Sequence, residues 1–95
     1  MKKFISFEGG EGVGKTTQSN LLSKSIKSIE EECIITREPG GTKESEIIRD
    51  LIVNYKYKSF LPETELLLIY AARHEHVKNL LIPSLKKKNV ISDRY

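Results

Sequence analysis

A glycine-rich segment near the start of the chain has the residue types and spacing of a phosphate-binding loop. Residues 9–16 read Gly-Gly-Glu-Gly-Val-Gly-Lys-Thr and fit the pattern G-x-x-x-x-G-K-S/T. Glycines let successive backbone N–H groups turn inward around phosphate oxygens, and the start of the following helix adds unpaired N–H groups. In this pattern Lys15 contacts the β- and γ-phosphates and the Thr16 hydroxyl binds a magnesium ion. The predicted phosphate-binding residues are Gly9, Gly10, Glu11, Gly12, Val13, Gly14, Lys15, Thr16 and Thr17.

Charged residues also follow two later apolar runs. Arg37 ends one run, and Asp93 and Arg94 end the other. Because functional loops of open α/β sheets follow the carboxyl ends of strands, we expect these residues to converge with Lys15, and Arg73 could face the same crevice. Asp93 is typical of a magnesium-side carboxylate, although a turn cap without a metal role is the alternative. Two arginines, which bind phosphate through a planar donor set, favour a second phosphorylated substrate over ATP alone.

Strands alternate with helices along the chain, and these elements must position the charged residues. Apolar runs predict strands at 4–7, 33–37 and 90–93, and helical periodicity predicts helices at 16–32, from 42 or 45 to 52, and at 63–87. The alternation predicts an α/β fold of the P-loop NTPase type, a parallel sheet flanked by helices in three layers (αβα). Since such domains usually have about 100 to 200 residues, we expect residues 1–95 to be the N-terminal part of a single domain, incomplete at its C-terminus.

Each predicted helix carries apolar residues that could face the core. Pro83 interrupts the third helix, so a kink or an early stop is expected near Leu81. Cys33 is predicted to be a buried strand residue. The helical apolar residues are Leu21, Leu22, Ile26 and Ile29 in the first helix, Ile47, Ile48, Leu51 and Ile52 in the second, and Leu66, Leu67, Tyr70, Val77, Leu80, Leu81 and Leu85 in the third.

Composition argues against several classes of function. The net charge is +3, and the lysine run at 86–88 fits a solvated helix end better than a nucleic-acid patch. No segment approaches the roughly 18 apolar residues of a membrane span, and the N-terminus lacks the plan of a signal peptide. A single cysteine excludes an intrachain disulfide. We therefore expect a soluble cytoplasmic protein without nucleic-acid or membrane partners. His74 and His76 lie two residues apart on a predicted helix and so do not share one face, and we therefore predict no metal site there.

Four motifs resemble those of the bacterial thymidylate kinase family. They are Phe-Glu-Gly at 7–9, Thr-Arg-Glu-Pro-Gly-Gly-Thr at 36–42, Ala-Ala-Arg at 71–73 and Asp-Arg-Tyr at 93–95. Their order and spacing match over essentially the whole chain, and the motif at 36–42 is much more specific than the loop. The resemblance implies transfer of the γ-phosphoryl group of ATP to dTMP, giving dTDP for dTTP synthesis, with Mg²⁺. It also implies a possible homodimer and a cis Glu38–Pro39 bond.

The resemblance implies a role for each matching residue. Arg37 and Arg94 hold the acceptor phosphate, Arg73 hydrogen-bonds the thymine, and Glu11 lies near the deoxyribose 3′-hydroxyl. Asp93 helps to position magnesium and the reacting phosphates. The predicted catalytic residues are thus Lys15, Asp93 and Arg94, the dTMP-binding residues are Glu11, Arg37, Ile69, Arg73 and Arg94, and the metal ligands are Thr16 and Asp93.

Two positions depart from the family's pattern. Gly12 stands where some members carry an arginine, which implies that a mobile lid beyond Tyr95 supplies that charge. Ile69 stands where many relatives stack a phenylalanine on thymine, and aromatic stacking contributes about 0.5 to 1.5 kcal/mol. Three alternatives stay open: another P-loop nucleotide kinase, a nucleotide-dependent ATPase switch, and an inactive fragment.

Overall fold

The computed structural model of the chain describes residues 2–10, 14–29, 31–54 and 60–95. The predicted strands are confirmed to within one residue, and the helices lie in the three predicted regions. A π-helical turn, Val77–Leu81, interrupts the last region. The strands are β1 (Phe4–Phe7), β2 (Cys33–Arg37) and β3 (Asn89–Asp93), and the helices are α1 (Lys15–Ser28), α2 (Lys43–Val53), α3 (Pro62–His76) and α4 (Ile82–Leu85).

The three strands form a parallel sheet in the order β1-β3-β2. The strand that comes last in the chain therefore lies in the centre, and its Val90 and Ile91 are fully buried. Phe7 at the end of β1 and Arg37 at the end of β2 both pair with Asp93. All three strands thus end at one edge. The predicted class, a parallel α/β sheet flanked by helices, is confirmed.

Helix α1 packs against the sheet through small and polar side chains. Ser19 and Ser23 are buried, whereas Leu21 and Ile29 are exposed. The prediction that Leu21 and Ile29 face the core is therefore wrong. Serines have small side chains, so they let the helix backbone approach β2 and β3 closely, and this contact decides which face of α1 is buried.

Helix α2 begins after Thr42, one of the two caps that the sequence allows. The Thr42 Oγ1 atom accepts a hydrogen bond from the Ser45 backbone N–H at 3.0 Å, which satisfies one unpaired donor of the first turn. The fully buried Ser45 donates its hydroxyl to the Ala72 carbonyl oxygen at 2.7 Å. Ile47 and Leu51, predicted to face the core, are exposed. The small residues at the contact between α2 and α3 again decide which face is buried.

The third helical region starts and breaks at its prolines. Pro62 occupies the first turn of α3, as predicted. The π-helical turn ends at Leu81, two residues before Pro83. Proline has no N–H, and its ring crowds the carbonyl four residues earlier. The predicted irregularity near Leu81 is therefore confirmed. Three apolar residues of α3 that could have faced the core are exposed: Leu66, Leu67 and Tyr70.

The buried apolar core is small. In the described part of the chain no helix is long and apolar enough to cross a membrane. Cys33 is buried and unpaired, as predicted. The buried apolar side chains of the described residues are Cys33, Ala72, Leu81, Val90 and Ile91.

Candidate functional site

The edge where the strands end brings Lys15 and Asp93 together. Lys15 is the first residue of α1, and its side chain is 9% exposed. Its Nζ atom donates to the Gly10 carbonyl oxygen at 3.1 Å and lies 3.7 Å from the Asp93 Oδ1 atom. The predicted convergence of these two side chains is therefore present. A buried ammonium group at a helix N-terminus makes this edge attractive to anions.

The described ends of the loop have the backbone geometry that a phosphate-binding loop requires. Gly14 caps α1 with a φ of 85°, a left-handed conformation that glycine adopts without steric cost. Gly9 also has a positive φ, of 138°. Three predicted phosphate-binding residues lie outside the described residues: Glu11, Gly12 and Val13.

A cleft of about 630 Å³ opens beside this loop. Its walls come from the first turns of α1, from β2 and from α2. Thr16, Arg37, Glu46 and Asp93 line it, so a predicted phosphate ligand, a predicted acceptor ligand and a predicted metal ligand share one space. Thr17, in the same helical turn as Thr16, is exposed.

Arg94 lies across the start of the glycine-rich loop, at Gly9. Its backbone N–H donates to the Phe7 carbonyl oxygen at 2.8 Å. Its Nε and Nη2 atoms donate to the Gly9 carbonyl oxygen at 3.2 and 3.1 Å. The φ of Arg94 is 68°, an uncommon value for a residue with a side chain, and such conformations cluster at functional sites. The strained backbone directs this side chain toward the loop.

Arg37 is held by a carboxylate that the sequence analysis missed. Its Nε atom donates to Glu46 Oε2 at 3.1 Å, and its Nη2 atom donates to Glu46 Oε1. Glu46 Oε2 also accepts from the Gly41 N–H at 2.8 Å. The Arg37 hydrogen bond, helped by Gly41, lowers the pKa of Glu46 to about 2, and the same pair raises the pKa of Arg37. A side chain at Gly40 would collide with Glu46.

Arg73 is held by a second carboxylate. Its Nε atom donates to Glu38 Oε1 at 2.8 Å, which raises the pKa of Arg73. Its guanidinium carbon lies 4.1 Å from the centroid of the Tyr95 ring, a cation–π contact. Ile69 lies four residues earlier on α3, on the same face of the helix, and is partly exposed. The structure therefore places the two predicted base-binding residues side by side.

Behind Arg73 lies a buried histidine that sequence reasoning also missed. His76 contacts the other Glu38 oxygen through Nδ1 at 2.8 Å and the Thr36 Oγ1 atom through Nε2 at 2.7 Å. A usable signal was the three-residue spacing of Arg73 and His76, which puts both on one helix face. The described residues contain no cluster of three histidines, cysteines or acidic residues that could hold a metal ion.

The segment after β2 is hydrogen-bonded to the end of β3. The Glu38 N–H donates to the Asp93 carbonyl oxygen at 3.0 Å, and the Glu38–Pro39 peptide bond is cis, as expected. Arg49 from α2 donates to the Pro39 carbonyl oxygen at 2.9 Å. These bonds fix the loop that carries Arg37 and Glu38 against the strand that carries Asp93.

Comparisons with known proteins identify the family that shares this arrangement. The family model described as thymidylate kinase matches residues 7–95. The chain is 46% identical over 93 residues to the thymidylate kinase of Caulobacter vibrioides, covering 97% of this chain and 45% of the relative. It is 47% identical over 93 residues to that of Kosmotoga olearia, covering 97% of this chain and 44% of the relative.

A solved structure of the same family is also similar to this chain. The crystal structure of thymidylate kinase from Ehrlichia chaffeensis matches with a TM-score of 0.86 and 43% sequence identity. The match covers 99% of this chain and 53% of the crystallised chain. The chain thus spans about half the length of the relatives that it matches.

Proposed function

The chain belongs to the thymidylate kinase family, and we propose that the protein of which it forms part transfers the γ-phosphoryl group of ATP to dTMP, giving dTDP. The observation that carries the proposal is the meeting of Lys15, Asp93 and Arg94 at one sheet edge, beside a cleft lined by Arg37. Phosphoryl transfer needs in-line placement and neutralisation of charge more than a covalent catalyst. Arg37 in the cleft, with Lys15 and Arg94 at the neighbouring sheet edge, would meet that need.

On the donor side, the loop N–H groups of residues 9–17 and the Lys15 ammonium group would hold the β- and γ-phosphates. The Thr16 hydroxyl and the Asp93 carboxylate fit a magnesium ion, because Mg²⁺ prefers oxygen ligands. The Asp93 Oδ1 atom is buried and has no hydrogen-bond partner in the described part of the chain. When bound, the ion would supply positive charge against the phosphate oxygens.

On the acceptor side, Arg37 and Arg94 would hold the phosphate of dTMP. Arg73 and Ile69 would contact the thymine ring, and Glu11 would lie near the 3′-hydroxyl group. Glu46 and Glu38 support this assignment, since each holds one of these arginines by its Nε atom and fixes the direction of the guanidinium plane.

The proposal extends to the context of the chain. Residues 1–95 would form the N-terminal part of a single P-loop kinase domain, since the relatives are about twice as long. Gly12 stands where some family members carry an arginine. A lid in the remaining sequence of the full-length protein would therefore be the source of a further catalytic arginine. The protein would act in the cytoplasm as a homodimer.

The experiment uses the purified full-length protein with ATP and Mg²⁺ and, separately, dTMP, dUMP, dCMP and dGMP. We expect ADP and dTDP to form in equal amounts and kcat/KM to be highest for dTMP. An equal rate with all four acceptors would contradict the substrate assignment. ATP hydrolysis that needs no acceptor would favour the ATPase switch instead.

A further inference from the structure

His76 is a histidine whose ring is surrounded by the chain. Its side chain is fully buried, and both ring nitrogens have partners. Nδ1 lies 2.8 Å from Glu38 Oε2, and Nε2 lies 2.7 Å from Thr36 Oγ1. The ring therefore connects β2 with α3 through two side-chain hydrogen bonds.

The chemistry of the two partners decides where the ring carries its proton. An ionised Glu38 can accept a hydrogen bond but not donate one, so Nδ1 must be the N–H that donates. Thr36 has a hydroxyl group, which can donate to an unprotonated Nε2 atom. The geometry thus places a proton on Nδ1, and the Thr36 hydroxyl, which can donate or accept, is a suitable partner for Nε2.

The hydrogen bonds continue from His76 to Arg73. Glu38 is 6% exposed, and its Oε1 atom accepts from Arg73 Nε at 2.8 Å. A buried carboxylate that lost one donor would turn toward another, which would change the angle at which it holds the guanidinium. Arg73 also lies on the Tyr95 ring at 4.1 Å, so a small rotation would alter that contact as well.

We propose that His76 is a positioning residue for the acceptor site: its Nδ1–H orients the Glu38 carboxylate, which in turn orients the Arg73 guanidinium toward the base of a nucleoside monophosphate. The inference rests on the proposed function, because that function gives Arg73 its substrate. It adds a buried residue that reaches the base only through two other side chains.

Two substitutions in the full-length protein separate hydrogen bonding from packing. In His76→Asn the amide nitrogen occupies the place of Nδ1 and can still donate to Glu38. In His76→Gln the longer side chain fills more of the volume of the imidazole ring, but its amide lies nearer to the place of Nε2 than to that of Nδ1. We expect the KM for dTMP to rise about tenfold in His76→Gln, because this variant loses a hydrogen bond to a charged group. In His76→Asn, which keeps that bond, we expect the KM for dTMP to rise less than about threefold. The KM for ATP should stay constant in both.

A role in packing alone predicts the reverse order, because asparagine leaves the larger cavity. An equal or larger rise in the KM for dTMP with His76→Asn would therefore overturn the proposal. His74→Gln, an exposed change on the same helix, is the control and should leave both KM values unchanged. Thermal unfolding of each variant shows that the compared proteins are folded.

A double-mutant cycle tests whether His76 acts through Arg73. In an Arg73→Ala background, His76→Gln should no longer change the KM for dTMP, since the orientated group is gone. Independent, multiplicative effects would overturn the proposal.

A measurement that needs no activity separates this inference from the proposed function. Nitrogen NMR of the His76 ring in the full-length protein should show a proton on Nδ1, and an unprotonated Nδ1 would overturn the inference. Failure of the wild-type protein to phosphorylate dTMP would instead refute the proposed function, and the NMR result would still decide the hydrogen bond to Glu38.

Discussion

Lys15 shows how one residue can be costly for the fold and useful for binding. Its ammonium group is nearly buried, at a helix end that is itself partly positive. In the described part of the chain its anionic contact is Asp93, at 3.7 Å, longer than a hydrogen-bonded ion pair. Phosphate oxygens at this position would supply the shorter contacts that the fold leaves out.

Replacing Lys15 by alanine should therefore reduce turnover strongly. We expect Lys15→Ala to lower the kcat of the full-length protein by about 100- to 1000-fold, as loss of a preorganised electrostatic group does in other enzymes. Steady-state kinetics with ATP and dTMP measure the effect. Lys24→Ala, a change at an exposed position on the same helix, is the control and should stay near the wild-type rate. A Lys15→Ala rate within twofold of wild type would remove Lys15 from the proposed machinery.

Glu46 gives a prediction for stability against pH. Arg37 and Gly41 lower its pKa from 4.5 to about 2 in the folded protein. A carboxyl group with a lowered pKa stabilises the fold at pH values above 4.5, and this contribution disappears as the pH falls toward 2. Glu46→Gln should therefore be less stable than wild type at pH 7, and the difference should shrink below pH 4.5 and nearly vanish only as the pH reaches about 2.

Urea unfolding of the full-length proteins at several pH values measures the difference. Glu46 is partly exposed, so solvent screening limits the expected loss at pH 7 to about 0.2 to 1 kcal/mol. Glu44→Gln, at an exposed position on the same helix, is the matched control. If the difference between Glu46→Gln and wild type stayed constant with pH, the Arg37 ion pair would not be its cause.

At the scale of elements, the segment between β2 and α2 leaves no room for a side chain at Gly41. Gly41 has a φ of 96°, and a side chain there would collide with the His76 ring and with Thr36 Oγ1. Gly41→Ala should destabilise the full-length protein by about 1 to 3 kcal/mol, the cost of a strained left-handed residue. Gly10→Ala is the control for stability, since no atom lies within 4 Å of its added carbon and the expected change is below about 0.5 kcal/mol. Equal unfolding midpoints for the two variants would contradict the packing of Gly41 on His76.

The strands and helix starts were predictable because their signals are local. The run at 4–7, the cap at Thr42 and the proline at Pro62 each act on neighbouring residues, and the structure has each one where the sequence places it. The direction in which a helix faces is different, since it depends on the surface opposite. Ser45 is buried and Ile47 is exposed because Ser45 meets the α3 backbone at Ala72.

The site was predictable to the extent that its residues follow strands in the sequence. Lys15 and Asp93 were expected to meet, and their side chains lie 3.7 Å apart at the edge where the strands end. The carboxylates that hold the arginines had no such signal. Glu38 contacts His76 across 38 positions, and the local signal for this contact was limited to the three-residue spacing of Arg73 and His76 on α3. Pairings of this kind are set by the strand order and the helix packing together.

At the scale of the whole molecule, the chain is less compact than most chains of its length and carries apolar residues on its surface. Its radius of gyration is 14.5 Å, whereas a compact chain of this length has about 12 Å. Leu66, Leu67 and Tyr70 of α3 are exposed together with Ile47 of α2. Exposed apolar side chains in such number are typical of a surface that binds something, whether further chain or a second molecule. The relatives, about twice as long, have further chain for this purpose.

Leu67, 69% exposed here, should therefore behave differently in the short and the full-length protein. We expect Leu67→Lys to change the free energy of unfolding of the isolated 95 residues by less than about 0.5 kcal/mol. In the full-length protein we expect a loss of about 1.5 to 3 kcal/mol, the value of burying a leucine. Urea unfolding of both forms measures the two changes, and His74→Lys, an exposed polar site on the same helix, controls for the added charge. A full-length protein that tolerates Leu67→Lys as well as His74→Lys would show that this face of α3 stays in water.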